Sequence, residues 1–475
     1  MLNSPSSPGH WLLTAAERYP DKIALNGRAG PVSFRQLGHE AAALAQALAD
    51  SGIRHGQLVA VQSVSGQQVA ALLYAALYLG VTLLPLDPAM QPDRRDGLLE
   101  RVGCEWLLAS EGGRGGIALD ALFSVTNTID PVRVAPARPL TGDEVQLVIA
   151  TSGTTGQPKG VMLSVYNLVA SASASRQRLG LESGDCWLAC LPLFHIGGLS
   201  ILLRALEAAA RVHLLERFVP EEVWAEIAGG RVTHLSLVPA MLERLLTQAG
   251  ERCPPATLRV VLVGGGPLST ELARRAHRLG WPLCVSYGMS ETASQFATDC
   301  SAAAGEEPGR VGLPLPGYQV QTAEDGRIRV RGPAVMLGYA NRQCRPGVGL
   351  QQDWFETGDL GQIDDAGCLS VLGRADDVLV SGGKNIHPEE VEERLLQCPG
   401  ITAVGVTGRE DPVWGMVLVA LFTGTATAER VERWSREHLP GGLRPRQFLV
   451  VSRLPLNAMG KLYRRGLRQL LEERQ

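Results

Sequence analysis

The chain of 475 residues is 45% hydrophobic and 20% charged, with 45 Lys and Arg against 48 Asp and Glu. That apolar content excludes disorder for the bulk of the chain, and its length corresponds to roughly three domain-equivalents of about 150 residues. A formal net charge of −3 gives no reason to expect nucleic acid or an anionic membrane surface as a partner. Only four of the 45 basic residues are lysines: Lys22, Lys159, Lys384 and Lys461. Codon or genome bias accounts for the arginines, but ammonium and guanidinium are not interchangeable at a tight site, so the remaining lysines are worth following along the chain.

The N-terminal stretch MLNSPSSPGHW has neither a basic n-region nor a long apolar core, so it is not a secretory signal. Helix-spaced apolar residues run from Phe34 to Leu48, Leu58–Val64 is strand-like, and Val69–Leu79 is helical again. The uncharged run from Val69 to Leu86 is interrupted by Gly80 and Pro85. It reads as a core helix followed by the buried strand Val81–Leu86 rather than as a membrane span. Leu147–Ala150, Thr233–Val238 and Leu258–Val263 are short apolar runs, as parallel strands should be, and the pattern to about residue 260 is α/β. From about 310 to 375 short strands alternate with tight turns: Gln319–Thr322, Glu324-Asp325-Gly326, Arg327–Val330, then Asp365-Ala366-Gly367. That stretch is antiparallel. A smaller α+β unit follows Arg374, in which Pro388 opens a helix with Val391, Leu395 and Cys398 on one face. Nine cysteines are scattered with no C-x-x-C pair and read as free thiols of a reducing compartment, Cys186 and Cys190 among them. The expectation is a soluble, intracellular, cytoplasmic protein.

The strongest chemical signal follows the strand Leu147–Ala150: Thr151-Ser152-Gly153-Thr154-Thr155-Gly156-Gln157-Pro158-Lys159-Gly160. Three glycines and four hydroxyl residues within ten positions bring backbone N–H groups and hydroxyls up to a polyphosphate, and Lys159 adds a compact cation. This is not a Walker A loop, because Gly160 stands where Ser or Thr should bind magnesium.

The loop resembles the phosphate loop of the adenylate-forming superfamily of acyl-CoA synthetases, adenylation domains and luciferases, and further segments occur in the order that family requires. Tyr287-Gly288-Met289-Ser290-Glu291 resembles its second nucleotide motif. The resemblance implies a tyrosine ring stacked on adenine, its hydroxyl near the α-phosphate, and Glu291, with Thr154, holding Mg²⁺. A hard cation wants oxygen ligands and neutralises the leaving pyrophosphate. Ser290 replaces the more usual Thr and keeps the hydroxyl. Thr357-Gly358-Asp359 resembles the ribose clamp, and Gly373-Arg374-Ala375-Asp376 the end of the large domain, implying nucleotide contact by Arg374 and a hinge at Asp376. Pro455-Leu456-Asn457-Ala458-Met459-Gly460-Lys461 resembles the C-terminal catalytic loop. A carboxylate attacking a phosphate brings like charges together, so a mobile cation such as Lys461 is what that chemistry needs.

Three segments bear on the acyl group and the thiol. Leu193-Phe194-His195-Ile196-Gly197-Gly198 resembles the segment whose histidine lies between the acyl pocket and the thiol path. Gly264, Gly265 and Gly266 would let backbone pass close to adenine and the acyl group, with Gly288 beside them. Ser381-Gly382-Gly383-Lys384-Asn385 resembles the loop that swings in for the second half-reaction, with Lys384 either meeting CoA phosphates or simply solvated. Arg444, Arg446, Arg464 and Arg465 read as a solvated face with CoA phosphates as a second use. His213 and His234 have no motif context and read as structural.

The resemblance implies an α/β fold: a large N-terminal domain over residues 1–375, built of α/β subdomains and a small antiparallel subdomain, then a small mobile α+β domain over 376–475. It implies ATP, Mg²⁺ and coenzyme A, a carboxylic acid substrate, and an AMP-forming reaction through an acyl-adenylate. A homodimer is a compatible assembly; nucleic acid and stable membrane insertion are not expected. Amino-acid adenylation domains place an aspartate where this chain has Phe194-His195-Ile196-Gly197-Gly198, which argues against amino acids. Leu191–His195, Ser236–Pro239 and the 381–392 stretch look most like the o-succinylbenzoyl-CoA synthetases of menaquinone synthesis. Arg204, in the apolar stretch Leu199–Leu206, is a candidate partner for a second substrate carboxylate, or else a helix-surface arginine. Transfer of an aryl or fatty acid to CoA or to a carrier protein is the alternative.

Overall fold

The computed structural model describes residues 7–110, 117–126, 139–151, 158–342, 345–381, 384–411, 414–456 and 462–473. The apolar run after residue 65 divides as its two periodicities demand. Helix Gly66–Leu79 starts at Ser65, whose hydroxyl accepts from the Gln68 N–H, and stops at Gly80 in the left-handed region (φ +74°). Strand Thr82–Leu86 is buried along its whole length, which a parallel strand covered on both faces requires. It lies between Leu58–Gln62 and Val145–Thr151 in a six-stranded sheet completed by Trp106–Ala109, the return strand Lys159–Ser164, and Gly338–Tyr339. Helix Phe34–Asp50, opened by a reciprocal Ser33–Gln36 cap, packs on Gly66–Leu79.

A second sheet of thirteen strands has a parallel centre: Arg211–Leu214, Cys186–Ala189, His234–Leu237, Val260–Val263 and Leu283–Met289 lie side by side in that order. Beyond Leu283–Met289 the sheet turns antiparallel through Ser294–Asp299, Arg310–Pro314, Leu369–Arg374, Phe355–Ile363, Arg327–Arg331 and Gln319–Thr322. The antiparallel region expected over 310–375 is therefore an edge continuation of the parallel sheet. The third sheet has five strands, all from Leu379 onward. Helix Pro388–Leu395 packs on it with Val391, Leu395 and the following Cys398 buried, the face its spacing predicts. Among the described residues, no helix is long and apolar enough to cross a membrane.

The free-thiol reading fails at one pair. Cys284 and Cys300 form a disulfide, because the antiparallel register Val285↔Asp299 places them opposite each other across neighbouring strands. Sixteen residues of sequence separation carried no sign of that pairing. His234 is buried, its ring hydrogen-bonded to the Leu179 carbonyl and the Thr233 hydroxyl, and His213 pairs with Glu226, so both are structural as expected. Thiol titration of the denatured protein, purified without reductant, should count seven of the nine cysteines and all nine after reduction. A count of nine before reduction would contradict the bridge.

Candidate active site

The motif residues gather where the parallel strands end, the usual ligand edge of an open α/β sheet. Thr151 closes its strand and faces Lys159 across the return, its hydroxyl 3.5 Å from the Lys159 carbonyl. Ser152, Gly153, Thr154, Thr155 and Gly156 between them lie outside the described residues, as do Gly382, Gly383 and Lys461. Gly264, Gly265 and Gly266 follow Val260–Val263, Tyr287, Gly288 and Met289 end Leu283–Met289, and Ser290 and Glu291 form the turn Ser290–Thr292 beyond it. His195 follows Cys186–Ala189 and caps helix Ile196–Ala208, its half-buried ring tilted against Phe194 at 4.5 Å. Gly198 is forced by packing, since a Cβ there would sit 2.9 Å from the Leu191 carbonyl.

Three residues assigned separate nucleotide roles form one network. The Tyr287 hydroxyl donates to Asp359 Oδ2 at 2.5 Å, and Arg374 Nη1 donates to Oδ1 at 3.0 Å. Asp359 and Arg374 are direct cross-strand partners, and the guanidinium lies over Gly358, where any Cβ would overlap it. Burial first, then the Asp359 charge, holds the Tyr287 hydroxyl far above the usual tyrosine range. Burial opposes the Arg374 cation, but Asp359, with Asp376 and Asp377 beyond it, outweighs that and strengthens its protonation. Asp376 itself is exposed on the turn Ala375–Asp377.

A second cluster contains a residue that the sequence did not single out. The Tyr339 hydroxyl donates to Glu291 Oε1 at 2.9 Å, and Lys159 Nζ lies 4.7 Å from the Tyr339 ring centroid. Tyr339 has apolar neighbours and no polar pattern; only the pairing of Gly338–Tyr339 with Val161 and Met162 carries it to the phosphate loop. Among the described residues no group of three His, Cys, Asp or Glu side chains could hold a metal. A single half-buried carboxylate beside a lysine fits a magnesium ion that arrives bound to ATP and keeps most of its oxygen ligands from phosphate and water.

On the acyl side the backbone is bent. The register slips between Tyr287 and Gly288, and a Cβ at 288 would overlap the Ser294 carbonyl and the Gln295 backbone. Gly264 is constrained likewise by Ser286, whose carbonyl would lie 3.1 Å from its Cβ, so close strand packing already demands both glycines. Ser294 has φ +115°, a costly conformation for a residue with a side chain. Its hydroxyl accepts from Arg204 Nη2 at 2.9 Å. Arg204 is not a helix-surface arginine: it is 1% exposed, with its guanidinium 5.6 Å from the Trp187 ring and Nε without a hydrogen-bond partner. Burial pushes its pKa down to about 10. The cavity beside it, lined by Ser171, Ser200 and Ala293, is only about 10 Å³, room for one water at most.

The C-terminal arginines divide. Arg464 is not solvated: it bonds Glu392 at 2.6 Å, Glu389 at 2.7 Å and Asp377 at 3.3 Å. Helix Arg464–Glu472 packs its start against the third sheet and turns this residue inward. Arg465 stays exposed, Arg446 lies over the Trp414 ring, and Arg444 donates to the Leu439 carbonyl. Lys384 opens the strand Lys384–Ile386, paired with Ser381.

A family model described as AMP-binding enzyme matches residues 12–340, and one described as AMP-binding enzyme C-terminal domain matches 390–461. The 2-succinylbenzoate–CoA ligase of Bacillus cytotoxicus is 35% identical over 476 residues, covering 98% of this chain and 99% of its own. The o-succinylbenzoate CoA synthetase of Bacillus subtilis, solved with the acyl-adenylate intermediate OSB-AMP, superposes with a TM-score of 0.88 at 34% identity, covering 96% of this chain and 97% of that one. The same enzyme solved with ATP and a magnesium ion gives a TM-score of 0.84 at 34% identity, with 96% and 99% covered.

Because a methyl at 288 has only backbone to displace, Gly288→Ala should destabilise the fold by about 1–3 kcal/mol, the ordinary cost of overpacking. Denaturant unfolding checks this; an unchanged midpoint would show that the strand bends freely.

Proposed function

The chain belongs to the AMP-binding enzyme family, and on that premise we propose that it is an ATP-dependent acid–thiol ligase, joining an aromatic dicarboxylic acid such as o-succinylbenzoate to coenzyme A. The observation that carries the reading is the convergence of Tyr287, Asp359 and Arg374 on the thirteen-stranded sheet and of Glu291 and Lys159 where its turn Ser290–Thr292 meets the return strand of the six-stranded sheet, in two hydrogen-bonded or stacked clusters. The names of relatives matched along nearly the whole chain supply the acid.

In the first step a carboxylate oxygen attacks the α-phosphorus of ATP, and the bond to pyrophosphate breaks. Lys159 meets the phosphate oxygens, Tyr287 stacks on adenine and Asp359 accepts from the ribose hydroxyls. Glu291 would hold magnesium, which neutralises the departing pyrophosphate when bound. Lys461 approaches the reacting carboxylate and α-phosphate as charge builds. In the second step the thiol sulfur of CoA attacks the acyl carbonyl, its proton is lost, and AMP leaves with the carbon–oxygen bond. Residues 376–475 rotate about Asp376 between the steps, replacing Lys461 by the Gly382–Gly383–Lys384 loop, with His195 beside the thiol path. Holding two anions in line is most of the task, and orientation of this kind is worth roughly 7–11 kcal/mol. The reaction takes place in the cytoplasm.

Arg204 serves the second carboxylate from behind the pocket wall. Its guanidinium is unpaired by any carboxylate among the described residues and reaches the Gly288–Ser294 bend through the Ser294 hydroxyl. A buried cation without a counter-ion favours an anion brought to that wall.

Pyrophosphate release with ATP and Mg²⁺ across aryl, dicarboxylic and fatty acids tests the reading: o-succinylbenzoate should give the largest CoA-dependent thioester yield, and no response to any acid would overturn it. Arg204→Met keeps the volume and removes the charge. It should raise KM for a dicarboxylic acid about tenfold and spare monocarboxylic acids, whereas an unchanged KM ratio removes the role.

A further inference from the structure

Lys159 and Glu291 carry opposite charges on neighbouring elements, yet no ion pair joins them; the aromatic ring of Tyr339 lies between their roles, with Glu291 on its hydroxyl and Lys159 over its face. We propose that Tyr339 is a positioning residue for the metal–triphosphate end of the site: it fixes the Glu291 carboxylate for the metal and seats the Lys159 ammonium for phosphate, and keeps the two from neutralising each other.

The backbone makes the arrangement stiff. The Tyr339 N–H donates to the Val348 carbonyl at 2.8 Å, and the Ala340 N–H donates to the Gly160 carbonyl at 2.7 Å, beside Lys159. The Met336 N–H donates to the carbonyl of Glu291 itself at 2.8 Å. One short segment thus grips both partners through main chain before its side chain touches either. The ring lies flush on Gly349, where a Cβ would come within 2.6 Å of two ring carbons, so the ring has a floor only a glycine leaves open. A hydroxyl donated to one carboxylate oxygen orients the group while leaving it charged, and a cation over a ring face keeps its N–H donors for another acceptor. A merely packed tyrosine would need neither contact.

The inference rests on the reading of Glu291 as the metal's carboxylate and of Lys159 as a phosphate contact. Calorimetric titration of the full-length enzyme with ATP, in Mg²⁺ and separately in EDTA, tests both levels. For Tyr339→Phe, which keeps the ring and loses the hydroxyl, Mg²⁺·ATP should bind roughly tenfold more weakly, the scale of a lost hydrogen bond to a charged group, while ATP in EDTA keeps its wild-type Kd. Tyr339→Leu should weaken binding in EDTA as well, because Lys159 loses its seat. Equal weakening of Tyr339→Phe in both media, or none in either, overturns the proposal. Should Tyr339→Phe lower the thermal midpoint, the cycle with Glu291→Gln decides: the tenfold loss must vanish in that background, and a loss that persists in full overturns the proposal. A wild-type enzyme that gains nothing from Mg²⁺ overturns the assignment of Glu291 itself.

Discussion

A carboxylate as enclosed as that of Asp359, with a side chain 12% exposed, needs its charge met by fixed partners, and the two that meet it come from different parts of the chain. Tyr287 ends the last parallel strand of the large sheet, and Arg374 ends an antiparallel strand added to the same sheet. The bonds to Asp359 therefore fasten the antiparallel extension to the ligand edge of the α/β core. Arg374 also feels Asp376 and Asp377, and Asp377 bonds Arg464, which in turn holds Glu389 and Glu392. Charges alternate in sign along this line from the nucleotide strand to the third sheet. Three carboxylates around Arg464 are more than one guanidinium neutralises, and burial pushes the Glu392 and Asp377 carboxyls up accordingly. The line from Arg374 to the third sheet thus runs through charges.

The sparse lysines follow from the same distinction between compact and planar cations. Lys159 presents a small ammonium over Tyr339, where a guanidinium would lie flat on the ring and reach past it. Lys22, which has no motif around it, serves another end: half-buried, its ammonium donates to the carbonyls of Ser183 and of Ala209, the latter at 2.6 Å. Ala209 ends helix Ile196–Ala208 in the left-handed region (φ +49°), so Lys22 satisfies a helix end that the chain cannot satisfy itself. At Lys22 the rare lysine meets two convergent carbonyls and at Lys159 an aromatic face, and both suit a point charge. Rarity of lysine does not by itself mark catalysis.

What the sequence made legible were features local in the chain. Gly80 after an apolar helical run ends that helix, the 319–330 hairpin forms as its turn residues predict, and Pro388 opens a helix whose three apolar positions are all buried. Gly264, Tyr287 and Glu291 arrive at one edge because each ends or follows a strand of the same parallel set, whereas Asp359 and Arg374 reach it on antiparallel strands added to that sheet. Contacts created by strand register were not legible. The Cys284–Cys300 bridge, Tyr339 on Glu291, and Arg464 among three acids each join residues whose neighbourhood exists only after strands are paired. Arg464 shows the limit most plainly: its sequence neighbours Tyr463 and Arg465 are exposed, and only one residue of that basic run is turned inward.

Arg204 and Ser294 illustrate how a buried charge can hold a strained backbone. Ser294 is held at φ +115° by two bonds: its carbonyl accepts from the Thr292 hydroxyl at 2.7 Å and its side-chain oxygen from Arg204 at 2.9 Å. A conformation of that kind costs on the order of 1–3 kcal/mol and persists only when its surroundings over-determine it. The bend it maintains is the one that brings Ser294 against Gly288, at the end of the strand that carries Tyr287. Arg204 pays for its burial with a lowered pKa and an unbonded Nε, yet no carboxylate among the described residues relieves it. A salt bridge inside the protein would have stabilised the fold more cheaply. Leaving the cation unpaired keeps its field directed at the Gly288–Ser294 bend, so one buried residue both fixes the strained backbone and sets the local potential there.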